Sequence, residues 1–221
     1  MRYYRNFWIF MNNPIAGAYL RWVYKKGVED LLKLNFKPNF NTRNFVCLLC
    51  GVANERTADE FIKFTFEKNP NAKIIIIDRG TEQINAVRKL VKKKYSGFNI
   101  QIEQIDALDL QKIILPESLD WIETDAFLEF FDVEGLDKLF NVWHSLLKPT
   151  GFITTRDYVT NGPIGKINDT LRIWQMRIWL GVETFAHSPT DFANLFEKFN
   201  FKAIEGSTFL PTFKRFSLIK K

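Results

Sequence analysis

Residues 44–61 read NFVCLLCGVANERTADEF, and this stretch decides the fold. An apolar run at 45–50 meets a single glycine, Gly51, and a polar cluster then opens a helical pattern. This order is typical of a buried parallel strand that turns sharply into a helix whose first N–H groups face a ligand. A second apolar run, at 74–77, ends in Asp78. Strand, glycine turn, helix, strand and terminal acid together predict a site for a nucleoside-type cofactor.

The rest of the chain continues this alternation. Residues 1–35 read as helical, and the last two predicted strands are separated only by residues 210–212. Such a link is too short for a parallel crossover, so the last strand is expected to be antiparallel. The predicted fold is α/β: a doubly wound, mostly parallel seven-stranded sheet with an antiparallel last strand and an N-terminal helical cap. The pattern predicts strands at 45–50, 73–78, 98–104, 119–124, 151–157, 201–209 and 213–219, and helices at 54–67, 81–95, 133–147, 168–180 and 189–199.

The length of 221 residues predicts one large domain. We divide it into a helical N-terminal cap (1–43), a cofactor-binding core (44–158), an insertion on the substrate side (159–188) and a closing helix with strands (189–221).

Charge is unevenly distributed along the chain. The formal net charge is +6, but residues 1–43 hold eight Lys and Arg against Glu29 and Asp30, so this segment alone accounts for the excess. Residues 101–135 hold ten acids against Lys112. The uneven distribution weakens the inference that a basic protein binds nucleic acid. The acidic band either favours a cationic ligand or forms a solvated acidic face.

Cys47 and Cys50 are the only cysteines, and both lie inside the first apolar strand. A redox or zinc pair would be expected at an exposed turn, so we interpret them as buried, reduced thiols, predict no metal site and expect a cytoplasmic location. Residues 7–23 form the most apolar window, but Pro14 and Arg21 interrupt it, so no transmembrane span is predicted.

The ligand of a parallel α/β sheet binds at the carboxyl ends of its strands. Gly51 permits close approach of the backbone after the first strand, and the helix from Asn54 offers free N–H groups. Asp78 ends the second strand and could accept hydrogen bonds from a ribose diol, with Arg79 shaping the pocket beside it. Asp106 follows the third strand and could accept from an adenine amine. The alternative for each acid is a helix cap or a turn.

The fourth and fifth strands should end beside the reacting centre. Asp125 could act as a base, orient the substrate or stabilise a cation. Asp157 could orient the substrate, and Tyr158 could stack on it. The alternative for these three residues is an ordinary polar strand end.

The insertion at 159–188 contains a predicted helix that mixes apolar, aromatic and basic residues, including Trp174 and Arg177. Such a helix could form a lid or a wall of a substrate pocket. His187 closes the insertion and is the better histidine candidate for a general base; the alternative is a surface loop.

These features resemble the class I S-adenosylmethionine-dependent methyltransferases over residues 44–160. The most specific match is LKPTGFI at 147–153, which is similar to the family's turn before the fifth strand. LDWIETDAF at 119–127 resembles the fourth-strand motif. The resemblance implies S-adenosyl-L-methionine as cofactor, bound by Gly51, Ala53, Asn54, Glu55, Asp78, Arg79, Asp106, Ala107 and Thr124.

The first motif departs from the family pattern of an acid followed by three alternating glycines. Cys47 stands at the acid position, Leu49 at the first glycine and Ala53 at the third. Asn54 or Glu55 could replace the missing acid.

The resemblance implies methyl transfer driven mainly by alignment of a nucleophile with the methyl group. The chain lacks an Asn-Pro-Pro-Tyr motif after the fourth strand, which favours a small-molecule or peptide-like acceptor over a nucleic-acid base. Three alternatives stay open: a non-catalytic binding subunit of the same fold, an RNA methyltransferase that uses the basic N-terminal segment and, more distantly, a nicotinamide-dependent enzyme.

Overall fold

A computed structural model describes Tyr4, Asn6 and residues 14–160 and 162–221, with the backbone alone for residues 162–168. The predicted N-terminal helical segment and apolar window therefore lie partly outside the described residues. No described helix has the length and apolar character needed to cross a membrane. The helices are α1 Pro14–Leu31, α2 Glu55–Lys68, α3 Thr81–Lys94, α4 Val133–Leu146, α5 Gly162–Gln175 and α6 Pro189–Lys198; the strands are β1 Val46–Cys50, β2 Lys73–Asp78, β3 Ile100–Gln104, β4 Leu119–Asp125, β5 Leu147–Tyr158, β6 Phe201–Ser207 and β7 Phe213–Lys220.

The strands form one sheet in the order β3-β2-β1-β4-β5-β7-β6. β1 pairs in parallel with both β2 and β4, and β7 runs antiparallel to β5 and β6. The prediction of a seven-stranded, mostly parallel sheet with an antiparallel last strand is confirmed. The chain order reverses between β1 and β4, so the carboxyl edge at these two strands is where a ligand is expected.

Two apolar layers cover the faces of the sheet, which explains why its central strands are apolar along nearly their whole length. Leu48 and Ile122 belong to the cluster that also holds the buried residues of α4 and α6. Leu49, Trp121 and Phe152 belong to the cluster on the opposite face, together with residues of α1 and α2. Successive residues of β1 and β4 thus enter opposite cores, as the two-residue period of a strand requires.

The N-terminal helix α1 lies on the face of the sheet beside β5 and β7. A Cβ added to Gly27 would lie 3.1 Å from the Thr154 side chain, so the backbone approaches the sheet closely. Ser217 donates a hydrogen bond to the Gly27 carbonyl at 2.8 Å. Arg215 of β7 donates to Asp30 at 2.7 Å. These bonds explain why a helix with several basic residues packs against a mostly apolar sheet.

The structure differs from the predicted element boundaries around the LKPTG sequence. Helix α4 ends at Leu146 and β5 begins at Leu147, so the expected turn is an irregular start of the strand. The register of β4 with β5 shifts between Leu119 and Trp121. A Cβ added to Gly151 would lie 2.9 Å from the Leu119 carbonyl oxygen, so a glycine lets the two strands meet there.

The insertion also differs from its prediction. Helix α5 begins at Gly162, six residues earlier than predicted, and a π-helical turn at Met176–Leu180 follows it. Gly181 then adopts φ +68°, a left-handed conformation that ends the turn. The division of the chain into a cap, a core, an insertion and a closing segment stays a prediction.

We predict that the buried ion pair between α1 and β7 contributes strongly to stability. Both side chains are more than nine-tenths buried. Replacing Asp30 with alanine would leave the Arg215 guanidinium buried without its carboxylate, and we expect a loss of about 3 kcal/mol in unfolding free energy. Urea denaturation of D30A measures this loss. The matched control is Glu134→Ala, which removes an exposed ion pair with Lys138 on α4. Equal effects of the two substitutions would contradict the prediction.

Candidate active site

A cavity of about 510 Å³ opens at the carboxyl edge of the sheet. Its floor is made by the ends of β1, β2 and β4 and by the turn that follows β3. Residues 180–183 and Phe185 of the insertion complete the lining. The volume lies in the usual range for a small-molecule or cofactor site.

The turn after β1 is the glycine turn predicted from the sequence. Gly51 adopts φ +81°, and its N–H donates to the Ile77 carbonyl at 3.0 Å. A Cβ at this position would lie 2.7 Å from Cε2 of Phe127. Glycine is required here both for the backbone conformation and for the space that the Phe127 ring occupies.

Asp78 links two turns of the site. Its Oδ2 accepts a hydrogen bond from the Val52 N–H at 2.8 Å, and its Oδ1 accepts from the Gly80 N–H at 2.6 Å. Each oxygen keeps a second lone pair, so the carboxylate can still accept from a ligand. Burial raises the pKa of Asp78, while the two backbone donors oppose that shift.

Asp106 and Ala107 follow β3 at the other end of the cavity. The Asp106 side chain caps a short 3₁₀ helix by accepting from the Leu108 N–H at 3.0 Å. Ala107 is the first residue of that helix, so its own N–H has no acceptor within the helix. Arg79 reaches to 3.8 Å from the Asp106 carboxylate. An acceptor and a backbone donor therefore lie next to each other, as recognition of an adenine edge requires.

The loop after β4 is held by two charged groups of β5. Asp125 forms an ion pair with Arg156, and both side chains are about nine-tenths buried. Ala126 then adopts φ +50°, which is uncommon for a residue with a Cβ. The N–H groups of Phe127 and Leu128 both donate to Oδ1 of Asp157, at 2.9 and 2.7 Å. Asp157 thus fixes the loop that carries Phe127 into the cavity.

Aromatic rings form one wall of the cavity, which begins at Phe127 against the glycine turn. Phe127, Phe130, Phe131 and Phe185 line the cavity, and the rings of Phe127 and Phe131 are in T-shaped contact. The Phe185 N–H donates to the Glu129 carbonyl at 2.7 Å, which ties the insertion to the loop after β4. The predicted role of the insertion as a wall therefore falls to residues 180–185.

Of the predicted cofactor-binding residues, six line the cavity and three do not. Asn54 is buried, and its side chain accepts from the first N–H groups of α2 as a helix cap. Glu55 accepts a hydrogen bond from Tyr4 at 2.7 Å. Thr124 donates to the Cys50 carbonyl and holds β4 to β1. The six that line the cavity are Gly51, Ala53, Asp78, Arg79, Asp106 and Ala107.

Asp125 lines the cavity, but the other two predicted catalytic residues do not. Asp157 is fully buried behind the loop, so its expected role as a catalytic residue that orients the substrate is replaced by a structural one. His187 is also buried, and its Nε2 lies 2.9 Å from the Phe131 carbonyl. Burial lowers the pKa of His187, so a neutral ring donates to that carbonyl and is not available as a base in the cavity.

The predicted substrate-binding residues also lie outside the cavity lining. The Tyr158 hydroxyl is buried and donates to Asp169 at 2.5 Å, and the Arg172 guanidinium lies over its ring. Trp174 and Arg177 are exposed on the outer surface of the insertion. The prediction that Trp174 and Arg177 form a wall of the pocket is corrected, because the chain turns at Gly181 before it reaches the cavity.

Sequence reasoning missed several lining residues, among them Gln83, the four phenylalanines and Glu183. The phenylalanines gave no separate signal, since Phe occurs 22 times in the chain. Gln83 has a positional signal, because it lies in the first turn of α3, the helix that follows the acid at the end of β2.

The residues that depart from the family's first motif pack in the hydrophobic core. Cys47 and Leu49 are fully buried in the apolar layer shared with α1 and α2. Burial raises the pKa of the Cys47 thiol, which keeps it neutral. Leu49 pairs in register with Glu123 on β4, a buried carboxyl that is hydrogen-bonded to Thr154 and whose pKa burial raises. Neither Cys47 nor Leu49 lines the cavity.

Comparison with known proteins identifies the family of this chain. Residues 55–203 match a family model described as a methyltransferase domain. The chain belongs to this family. S-adenosylmethionine is its cofactor. No curated protein shows significant sequence similarity to the chain.

Solved structures share the fold at low sequence identity. Mitomycin 7-O-methyltransferase MmcR is 13% identical with a TM-score of 0.61, over 83% of this chain and 50% of MmcR. A possible exported protein from Bordetella parapertussis is 14% identical with a TM-score of 0.65, over 96% and 71%. Human N-acetylserotonin methyltransferase, solved with S-adenosylmethionine, is 17% identical with a TM-score of 0.55, over 79% and 47%. The chain thus spans about half the length of MmcR and of the human enzyme.

The residues that line the cavity fit S-adenosylmethionine. The left-handed turn at Gly51 brings backbone close to a ligand, and Asp78 keeps free lone pairs for hydroxyl groups. The ionisable lining residues are Asp78, Asp106, Asp125 and Glu183 against Arg79, an acidic excess that suits a sulfonium cation.

We predict that Gly51→Ala weakens cofactor binding at least tenfold. The added methyl would collide with Phe127 and force an unfavourable φ, at a cost of about 1–3 kcal/mol. Calorimetry with S-adenosylhomocysteine measures the loss. Gly97→Ala is the matched control, because nothing lies within 4 Å of a Cβ there. Retention of wild-type affinity by G51A would contradict the assignment of the turn.

Asp157 predicts a pH dependence of stability. Burial raises its pKa to about 7, with the nearby Glu129 carboxylate adding to the shift. A carboxyl whose pKa is raised by folding stabilises the fold fully below its unfolded pKa, and that contribution is lost as pH rises toward 7. We expect the unfolding free energy of the wild type, relative to Asp157→Asn, to fall by roughly 1 kcal/mol per pH unit between pH 5 and 7. Urea denaturation of both proteins across this range measures the difference, and a constant difference would refute the prediction.

Proposed function

We propose that this chain transfers a methyl group from S-adenosylmethionine to a small, apolar or aromatic acceptor that binds in the same cavity. The observation that carries the proposal is the composition of the cavity, whose lining combines hydrogen-bonding groups for a nucleoside with four phenylalanine rings. One cavity with both kinds of lining suits a cofactor and an acceptor held side by side.

The residues that would hold the cofactor are those of the three strand-end turns. Asp78 accepts hydrogen bonds from ribose hydroxyls, Asp106 and the Ala107 N–H contact the adenine, and the turn at Gly51 lets the backbone approach. The cofactor supplies an electrophilic methyl group on a sulfonium.

The chain's own contribution is positioning and exclusion of water. The phenylalanine wall and residues 180–185 restrict access of solvent to the cavity, and alignment of the two reactants then supplies much of the rate. Asp125 is the carboxylate closest to the end of the central strand, and Arg156 fixes its orientation. Its role is to orient the acceptor or to stabilise positive charge; the described cavity lining contains no histidine or lysine that would act as a base.

The residues that line the cavity indicate the chemical class of the acceptor. Apolar rings favour an aromatic or otherwise apolar molecule, and the acidic excess disfavours an anionic one. A peptide-like acceptor with apolar side chains satisfies the same requirements. The buried, unpaired cysteines are compatible with the cytoplasmic location that we expect.

A second candidate function is a non-catalytic subunit that binds the cofactor or a partner without turnover. The observation that favours it is the apolar replacement of the first-motif acid and glycine by Cys47 and Leu49. Methyl transfer from radiolabelled S-adenosylmethionine to a panel of phenols, catechols and amines distinguishes the two. Turnover of any member excludes the non-catalytic function, whereas cofactor binding without turnover across the panel favours it.

The RNA alternative has less support in the structure than in the sequence. Arg21 pairs with Glu60, Lys26 with Glu29 and Lys33 with Asp30, so part of the basic N-terminal charge is neutralised within the fold. Electrophoretic shift with structured RNA at several salt concentrations tests it; a steeply salt-dependent shift would support RNA binding.

We predict that Asp78→Asn weakens S-adenosylhomocysteine binding at least tenfold. The amide retains the size of the side chain but replaces one acceptor oxygen with a donor, which conflicts with a ribose hydroxyl and with one backbone N–H. Isothermal titration calorimetry measures the change. Asp137→Asn on the outer side of α4 is the matched control. The absence of any binding by the wild-type chain at millimolar ligand would overturn the proposed function itself.

A further inference from the structure

Gln83 is a polar side chain in the cavity to which the family resemblance assigned no role. It lies in the first turn of α3, it is 4% exposed, and it lines the cavity beside Asp78. A buried primary amide without hydrogen bonds is costly, because each unpaired polar group loses about 1–3 kcal/mol relative to water. Its presence here therefore requires an explanation.

The two ends of the Gln83 amide have different surroundings. The carbonyl oxygen is buried and has no hydrogen-bond donor among the described residues. It lies against Gly80: a Cβ added to that glycine would lie 2.6 Å from Cδ of Gln83 and 3.0 Å from Oδ1 of Asp78. The φ of Gly80 is −78°, an ordinary value, so the glycine provides space for the amide rather than an unusual backbone.

The amide nitrogen is the end left for a ligand. Because the oxygen is sealed against Gly80 and the whole residue lines the cavity, the NH₂ group is the polar end that a bound molecule can meet. It makes no hydrogen bond within the part of the chain that the structure describes. The Gln83 amide and the Asp78 carboxylate both approach Gly80, so a group with a donor and a group that accepts stand close to each other at the end of β2.

We propose that Gln83 is a specificity-determining residue for the nucleoside, whose NH₂ group donates to the oxygen of a ribose hydroxyl while Asp78 accepts the hydrogen of that diol. A hydroxyl is both a donor and an acceptor, so a carboxylate alone satisfies half of its capacity. The pair recognises a ribose, and it discriminates against nucleosides that lack one hydroxyl. This inference rests on the proposed function, because it assigns a contact within the cofactor site.

The expected result is a loss of hydroxyl discrimination when the amide is removed. We compare S-adenosylhomocysteine with its 2′-deoxy and 3′-deoxy analogues by calorimetry, using the wild type and Gln83→Met, which has a similar volume and no hydrogen-bonding group. We expect Q83M to bind S-adenosylhomocysteine five- to fifty-fold more weakly. The penalty for removing one of the two hydroxyls should fall severalfold in Q83M, as coupling in a double-mutant cycle requires, and part of it should remain because Asp78 still accepts from the diol.

A second variant separates the donor from a merely structural role. Gln83→Glu preserves shape and replaces the donor with a carboxylate beside Asp78, so we expect it to bind no better than Q83M at pH 8. Gln111→Met, on the exposed side of the 3₁₀ helix that follows β3, is the matched control and should retain wild-type affinity and discrimination.

The outcomes are distinguishable from failure of the proposed function. If the wild type binds S-adenosylhomocysteine and Q83M retains both its affinity and its penalties for the deoxy analogues, the role of Gln83 is overturned and the proposed function stands. Wild-type affinity in Q83E would also overturn the donor role. If the wild type does not bind S-adenosylhomocysteine, both proposals fail. Thermal unfolding of each variant verifies that the compared proteins are folded.

Discussion

The site depends on the carboxylate of Asp78, which accepts hydrogen bonds from the backbone of two different turns. The Val52 N–H belongs to the turn after β1 and the Gly80 N–H to the turn after β2. Both turns border the cavity, so one side chain sets their separation. The positions of Gly51 on one side and of Gln83 on the other follow from this bond pair. The two backbone donors offset part of the cost of burying this carboxylate beside a ligand, since charge-assisted hydrogen bonds are the stronger kind.

Asp157 does the same for the other half of the site. It accepts from two consecutive N–H groups of the loop after β4, although it lies on β5. The loop has a left-handed residue, Ala126, and such a conformation persists only when its surroundings determine it. Because Phe127 follows directly, the buried carboxyl of one strand decides where the aromatic wall begins. Asp78 and Asp157 therefore act in the same way: each is a carboxyl group at a strand end that holds the turn of a neighbouring strand.

The fold was predictable from the sequence because its signals are local. Apolar runs such as 74–77, the glycine at 51 and the short link at 210–212 each constrain the backbone where they stand, and together they leave one sheet topology. The residues at strand ends on the cofactor side, such as Asp78 and Asp106, followed from that topology. The role of Asp157 could not be predicted correctly. The sequence pattern of an acid at a strand end is the same whether the acid faces a ligand or the N–H groups of an adjacent loop. The difference depends on the path of residues 126–128, which no local pattern encodes.

The insertion shows the same limit more sharply. Its helix was recognised from its pattern, yet the residues that reach the cavity come after the helix, where Gly181 turns the chain inward. An exposed Trp174 and a cavity-lining Phe185 are both aromatic residues in one segment, and only the turn between them separates surface from site. The degenerate first motif fits this view. Cys47 and Leu49 sit in the strand, where the core selects apolar groups, whereas the turn itself retains the glycine at 51 that its conformation demands. Gly51 meets the demand of the backbone at its position, and Cys47 and Leu49 meet the demand of the core. Under the proposed function, ligand recognition therefore rests on the turns after β2 and β3 more than on the first motif.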